Sequence, residues 1–131
     1  MKNLLIRQNS TLKEALKKLN NTGEKCLVVV NQRKFLLGTL SDGDVRKAIL
    51  KKDASMNASI KGIYHRDAKY FVEGEFTISQ AKSLLIKKRY DIIPIINKKH
   101  IVKNVILLRD LYNNNKNKNI RKVKAPVVIM A

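Results

Sequence analysis

The sequence predicts an α/β (α+β) fold built from two pseudo-twofold-related repeats, each a small three-stranded sheet with two helices. Two observations predict it. Short apolar runs of strand length alternate with stretches of helical periodicity, and the same order of elements occurs twice in 131 residues, at an offset of 66 positions. A chain of this length with 44% apolar residues can bury one core shared by two small halves, but not two independent domains of ordinary size.

The first repeat opens with an apolar run at residues 4–6, and a helix follows it. Residues 9–11 are good N-cap candidates, and Gly23 is a typical residue at which a helix ends. The apolar positions of the helix recur at helical spacing and form the side that faces the core: Leu12, Ala15, Leu16 and Leu19.

Two strands come after this helix. Cys26–Val30 is a continuous apolar run rich in Val, which is typical of a strand buried on both faces. After a polar turn at residues 31–34, Phe35–Leu40 forms the next strand, and the short connection indicates an antiparallel hairpin. Because Cys26 is the only cysteine, a disulfide framework is excluded, and we expect a buried structural thiol.

Residues 38–49 change from an apolar run to a polar turn and then to helical spacing. Ser41 lies at the N-cap position of the new helix, and Asp44 follows three residues later. This pattern has two interpretations. It is an ordinary capping box, or it is a site at which the helix N-terminus receives a phosphate while the hydroxyl and the carboxylate bind a sugar.

The second repeat begins after residues 53–66, a weakly patterned stretch that we interpret as a connector. The same elements then recur, and each apolar element falls on an apolar element of the first repeat. The offset superposes Thr11 on Thr77, Leu19 on Leu85, Val29-Val30 on Ile95-Ile96, and Asp44 on Asp110. The second repeat is predicted to contain a strand at Tyr70–Val72, a helix with Ile78, Ala81, Leu84 and Leu85, strands at Ile92–Ile96 and Ile101–Leu108, and a helix starting at residues 109–112.

The formal net charge is +18, which permits nucleic acid, anionic membranes or anionic small molecules as partners. The basic residues are scattered over all segments, and the chain has only three Phe, four Tyr and no Trp for stacking on bases. We therefore expect nucleic-acid binding to be nonspecific if it occurs. No apolar stretch is long enough for a membrane span, and the N-terminus does not resemble a signal peptide, which predicts a cytoplasmic protein.

The sequence offers little for catalysis or metal binding. His65 and His100 have no obvious Cys or Ser partner and are expected to be surface or turn residues. Asp42 and Asp44 are close together but have no third hard ligand at suitable spacing. We therefore predict a noncatalytic chain without a metal.

Beyond the second repeat the composition changes twice. Residues 114–124 are rich in Asn and Lys and predict a basic linker. Residues 125–131 are apolar and predict the truncated first strand of a following domain. The expected organisation is repeat 1 at residues 1–60, repeat 2 at 61–113, then this linker and this strand.

The doubled pattern over residues 1–113 resembles a pair of CBS domains, the Bateman module. Gly38 to Arg46 is similar to that family's Gly-hydrophobic-hydrophobic-Ser/Thr-x-x-Asp signature, and Ile92 to Ile96 is similar to its strand ending in Pro-Val-Val. The second signature departs from the pattern, because Asn104 replaces the glycine and Leu107 replaces the Ser/Thr, although Asp110 remains.

The resemblance implies a cleft between the repeats that binds an adenosine-containing ligand such as AMP, ADP, ATP or S-adenosylmethionine. Asp44 would accept hydrogen bonds from the ribose, Ser41 and the helix N-terminus would hold phosphate, and Thr39 and Leu40 would line the cleft. Asp110 would make the equivalent ribose contact in a second site. Because Leu107 cannot donate to phosphate, that site loses about 1.5 to 3 kcal/mol, and one functional site is expected.

Residues 126–131 resemble the opening strand of sugar-phosphate nucleotidyltransferases. The sequence from Leu40 to Ala48 is also similar to that of CBS pairs that precede such transferases and of pairs attached to sugar-phosphate isomerases. The resemblance therefore implies a homodimeric regulatory region of a nucleotidyltransferase. The alternative is a ligand-free dimerisation scaffold for that enzyme, and a nucleic-acid-binding domain is a further alternative.

Overall fold

The computed structural model describes residues 3–51, 55–88 and 91–107. The chain divides into two compact units, Met1–Ala68 and Lys69–Ala131. The division lies several residues beyond the expected end of the first repeat at residue 60. The predicted helix at residues 109–112, the linker at 114–124 and the strand at 125–131 lie outside the described residues.

The first unit contains three strands and two helices, as predicted. In chain order these are β1 (Leu5–Arg7), α1 (Leu12–Thr22), β2 (Cys26–Val30), β3 (Leu36–Ser41) and α2 (Asp42–Lys51). The sheet order is β1-β2-β3, with β1 parallel and β3 antiparallel to β2. All five residues of β2 are buried, so the prediction of a strand covered on both faces is confirmed.

The second unit repeats this architecture. It contains β4 (Phe71–Val72), α3 (Ile78–Lys88), β5 (Ile92–Ile96) and β6 (Val102–Leu107), in the sheet order β4-β5-β6. At the offset of 66 positions, the bounds of α3, β5 and β6 coincide with those of α1, β2 and β3. The register shift near the end of β2 also recurs near the end of β5. The α+β fold with two three-stranded sheets is therefore confirmed.

The first helix is closed at both ends by local hydrogen bonds. The backbone N–H of Glu14 donates to Oγ1 of Thr11 (3.1 Å), and the backbone N–H of Thr11 donates to the Glu14 carboxylate (2.8 Å). This capping box fixes where α1 begins. Gly23 ends α1 in the left-handed conformation, with φ of 72°, and its N–H donates to the Leu19 carbonyl.

The two hairpins turn in the same way. Oδ1 of Asn31 accepts hydrogen bonds from the backbone N–H groups of Arg33 (2.8 Å) and Phe35 (3.0 Å). Oδ1 of Asn97 accepts the corresponding bonds from Lys99 (2.9 Å) and Ile101 (3.0 Å). The predicted starts of β3 and β6 are each one residue too early, because the N–H groups of Phe35 and Ile101 belong to the turns.

The core of the first unit lies between its sheet and its two helices, and the described core of the second unit lies between its sheet and α3. In the first unit, the fully buried side chains include Leu12 of α1, Leu40 of β3 and Val45 of α2. The core of the second unit includes the cluster of Phe76, Ala81, Leu85, Ile93, Ile95 and Ile106. Cys26 is buried, as expected. None of the described helices is long and apolar enough to cross a membrane.

The stretch interpreted as a connector is more structured than its pattern indicated. Ile60 is fully buried and Tyr64 nearly so. Two isolated bridges join this stretch to the rest of the first unit. One lies between Thr11 and Ser59, and the other between Thr39 and His65. Residues 55–68 therefore cover the first unit's core instead of only linking the two halves.

Candidate functional site

The junction between β3 and α2 forms the capping box that the sequence predicts. The backbone N–H of Asp44 donates to Oγ of Ser41, and the backbone N–H of Ser41 donates to Oδ2 of Asp44, both at 3.0 Å. Ser41 ends β3 and pairs with Cys26, so the sheet determines where α2 begins. The hydrogen bonds of a capping box are thus present, and they use only Oδ2 of Asp44, so they do not exclude a ligand at Oδ1.

The other carboxylate oxygen of Asp44, Oδ1, contacts His65, and this contact was not predicted from the sequence. Nε2 of His65 lies 3.2 Å from Oδ1 of Asp44, and the Asp44 side chain is only 14% exposed. The His65 side chain is 71% exposed, so the expectation of a surface residue is correct. Its contact with Asp44 was not predicted, because 21 positions separate the two residues in the chain.

Backbone pairing holds His65 at this position. The N–H of Thr39 donates to the His65 carbonyl (3.0 Å), and the N–H of His65 donates to the Thr39 carbonyl (2.8 Å). Thr39 is partly buried in β3, two residues before Ser41. This reciprocal pair adds a short fourth segment beside β3 and places the imidazole next to the start of α2.

Gly38 permits that close approach. A Cβ atom at position 38 would collide with the His65 carbonyl oxygen and would lie 2.8 Å from Cδ2 of Tyr64. No real side chain tolerates such contacts without movement of the backbone. The glycine of the signature is therefore explained by the packing of residues 64–65 across β3.

The structure places the other predicted site residues as follows. Leu40, which was predicted to line the cleft, is fully buried, and it pairs with Leu27 in the sheet. Thr39, Ser41 and Asp44 are partly buried and lie together at the end of β3 and the start of α2. Asp110 lies outside the described residues, and its role stays a prediction.

The second unit lacks the hydroxyl at the corresponding junction. Leu107 ends β6, pairs with Ile92 and is 8% exposed. Asn104 occupies the position of Gly38, and its Oδ1 accepts a hydrogen bond from the backbone N–H of Val105 (2.8 Å). The two copies therefore differ chemically at the end of the third strand.

The neighbouring acid, Asp42, makes a different contact from Asp44. Its Oδ2 lies 3.1 Å from the Arg46 guanidinium, one helical turn later. Within the described part of the chain, no group of three His, Cys, Asp or Glu residues could hold a metal ion. The site is thus built from one hydroxyl, one carboxylate, one imidazole and the N-terminal backbone of α2.

Comparison with known proteins agrees with this architecture. Residues 2–51 match the family model of the CBS domain. An uncharacterized protein of Helicobacter pylori (strain J99) is 27% identical over 107 residues, which are 82% of this chain and 32% of that protein. The chain therefore spans about a third of the length of this curated relative.

Solved structures of similar fold cover most of the chain. AcuB of Vibrio cholerae, named for acetoin utilization, is 17% identical with a TM-score of 0.79, covering 90% of this chain and 86% of that one. A Methanocaldococcus jannaschii protein, proposed as an archaeal homologue of g-AMPK, is 20% identical with a TM-score of 0.74, and the match covers 88% of this chain and 48% of that one. The cytosolic domain of the Mg²⁺ channel MgtE in complex with ATP is 15% identical with a TM-score of 0.68, covering 86% and 44%.

Proposed function

We propose that this chain, which matches the CBS domain model over residues 2–51 and has the fold of CBS domain pairs, is a noncatalytic regulatory module that binds an adenine nucleotide. The observation that carries the proposal is the position of Asp44, which is held by Ser41 and directs Oδ1 toward His65 at the start of α2. A carboxylate oxygen accepts more than one hydrogen bond, so Oδ1 can also receive a ribose hydroxyl.

The chemistry of the junction suits the two polar parts of a nucleotide. The first N–H groups of a helix and its partial positive charge attract phosphate. Ser41 supplies a hydroxyl beside them, and the partly buried Asp44 supplies the acceptor for the sugar. The structure of the MgtE cytosolic domain contains ATP, which supports testing adenine nucleotides first.

Titration calorimetry of the 131-residue chain tests this proposal with AMP, ADP, ATP and S-adenosylmethionine. We expect Asp44→Ala to weaken binding about ten- to a hundredfold, because one charge-assisted hydrogen bond is lost. Ser41→Ala is compared with Thr11→Ala, which removes the corresponding hydroxyl from the α1 capping box. The proposal is abandoned if no nucleotide binds more tightly than about 1 mM, or if Thr11→Ala weakens binding as much as Ser41→Ala.

We further propose that the module modulates an attached sugar-phosphate nucleotidyltransferase. The support is the resemblance of residues 126–131 to the first strand of such enzymes. The test is the sequence of the full-length protein beyond Ala131, where a Gly-Gly-x-Gly-x-Arg segment is expected. A different catalytic domain there would contradict this assignment without affecting nucleotide binding.

A ligand-free dimerisation scaffold is the second candidate. The observation behind it is Leu50 of α2, which is 82% exposed and is therefore accessible for contact with another chain. Sedimentation equilibrium distinguishes the two functions. A dimer that is weakened by Leu50→Gln, in a chain without nucleotide affinity, supports the scaffold.

A further inference from the structure

We propose that the first unit has a second anion site, the β1 groove, which binds the phosphate chain of a small oligophosphate. The β1 groove is a concavity of about 500 Å³ lined by β1, α1 and the β2–β3 turn. Its polar lining includes Arg7, Ser10, Glu14, Lys18, Asn31 and Lys34. A volume of this size is typical of small-molecule sites.

Cations dominate the lining of the groove. Arg7, Lys18 and Lys34 line the groove together with one acid, Glu14. The Glu14 carboxylate already accepts hydrogen bonds from the backbone N–H of Thr11 (2.8 Å) and from its Oγ1 (3.2 Å). The carboxylate is therefore held at the α1 cap, and three cations against one acid leave the groove with a surplus of positive charge.

The positive charge continues around the end of β1. A second concavity of about 320 Å³ shares Arg7 and Asn31 with the β1 groove and adds Arg33 and Lys61. Among the described residues, no carboxylate forms an ion pair with Arg7, Arg33, Lys34 or Lys61. Cations that outnumber the acids around a concavity repel one another, and a bound anion would relieve that repulsion.

One basic side chain of the groove is held by a hydrogen bond, and the backbone that carries another is fixed in a turn. Nζ of Lys18 donates to the Leu5 carbonyl at 2.6 Å, which holds it over β1. Lys34 has φ of 66°, and its N–H donates to the Asn31 carbonyl (3.0 Å) inside the turn closed by the Asn31 side chain. Preorganised donors bind an anion at a lower entropic cost than freely moving ones.

The lining also indicates which kind of anion fits. Neither concavity has an aromatic side chain in its lining, whereas single-stranded nucleic acids are bound by stacking bases on aromatic rings. Lysine and arginine are the residues that bind phosphate through charge-assisted hydrogen bonds. The geometry therefore favours a compact chain of phosphates, either free or carried by a nucleotide.

The β1 groove is separate from the Ser41–Asp44 junction. Ser41 pairs with Cys26 at the start of β2, whereas Arg7 pairs with Val30 at its end. Four residue steps along a strand correspond to about 13 Å. Thr39, Ser41, Asp44 and His65 line neither concavity, so the two sites can be lost independently.

Titration of the 131-residue chain with inorganic tripolyphosphate, at about 0.15 M ionic strength, tests the proposal. The variant combines Arg7→Gln with Lys34→Asn, because Asn tolerates the left-handed conformation at position 34. We expect its Kd for tripolyphosphate to rise about tenfold or more, since two charge-assisted contacts are lost. Circular dichroism checks that the variant is folded.

The matched control combines Lys98→Gln with Lys99→Gln, which removes two charges from the corresponding turn of the second unit. Its Kd is expected to stay within about twofold of the parent, because neither lysine lines either concavity. An equal loss in both variants would show general attraction to a basic protein and overturn the proposal. The proposal would also be overturned if the variant with Arg7→Gln and Lys34→Asn bound a single-stranded oligonucleotide more weakly than the parent but bound tripolyphosphate as tightly.

A titration with ATP in the Asp44→Ala background identifies the source of the phosphate chain. If ATP still binds and Arg7→Gln with Lys34→Asn weakens it, the groove accepts nucleotide-borne phosphates. If only tripolyphosphate responds, the groove binds free oligophosphate. Loss of ATP binding through Asp44→Ala alone concerns the junction, so the two sites are judged separately.

Discussion

The carboxylate of Asp44 is shared between two parts of the first unit that are distant in sequence. Its Oδ2 accepts the backbone N–H of Ser41 at 3.0 Å, and its Oδ1 lies 3.2 Å from Nε2 of His65. The first contact is local and closes α2. The second joins α2 to the segment that crosses β3, so the candidate site depends on both.

We expect the His65–Asp44 contact to contribute little to stability. The imidazole is 71% exposed, and pairs this exposed contribute about 0 to 1 kcal/mol. Chemical denaturation should show a change within that range for His65→Ala, whereas Ser41→Ala should lower the free energy of unfolding by about 1 kcal/mol through the lost cap. A larger loss for His65→Ala than for Ser41→Ala would mean that the imidazole supports the fold.

Gly38→Ala is expected to destabilise the first unit. The added methyl group would collide with the backbone of His65, and overpacking of this kind costs about 1 to 3 kcal/mol or more. Gly62→Ala is the control, because nothing lies within 4 Å of its added Cβ. Denaturant midpoints measure both changes, and similar midpoints for the two variants would contradict the close approach of residues 64–65.

Leu40→Ala should be among the most damaging substitutions in the first unit. Leu40 is fully buried, and truncation of a buried Leu costs about 2 to 5 kcal/mol. The matched variant is Leu50→Ala, at a side chain that is 82% exposed, for which we expect a change within about 0.5 kcal/mol. Thermal unfolding separates the two outcomes, and equal shifts in Tm would show that Leu40 is not in the core.

Lys34→Asn is expected to leave the chain at least as stable as the parent. Lys34 has φ of 66°, a conformation that penalises most residues by about 1 to 2 kcal/mol and that Asn adopts more readily. The free energy of unfolding should therefore stay constant or rise by a few tenths of a kcal/mol. Lys98→Asn serves as the comparison, and a loss specific to Lys34→Asn would indicate that the Lys34 side chain stabilises the hairpin.

Much of the fold follows from patterns that are local in the sequence. Helical spacing from Leu12 to Leu19 and the Val-rich run Cys26–Val30 predicted α1 and β2, because burial of one face or both faces is encoded at fixed intervals. The repeat then transferred these predictions to α3 and β5. The starts of β3 and β6 were misplaced by one residue, since a side-chain hydrogen bond within each turn overrode the apolar pattern.

The sequence by itself determined the doubled architecture, the capping-box spacing of Ser41 and Asp44, and the missing hydroxyl at Leu107. These features depend on residue types at short spacing. Only the tertiary structure decided that Ile60 and Tyr64 are buried, that Gly38 has to be a glycine because His65 crosses it, and that His65 contacts Asp44. Such contacts join weakly patterned residues to distant strands, and packing geometry alone specifies them.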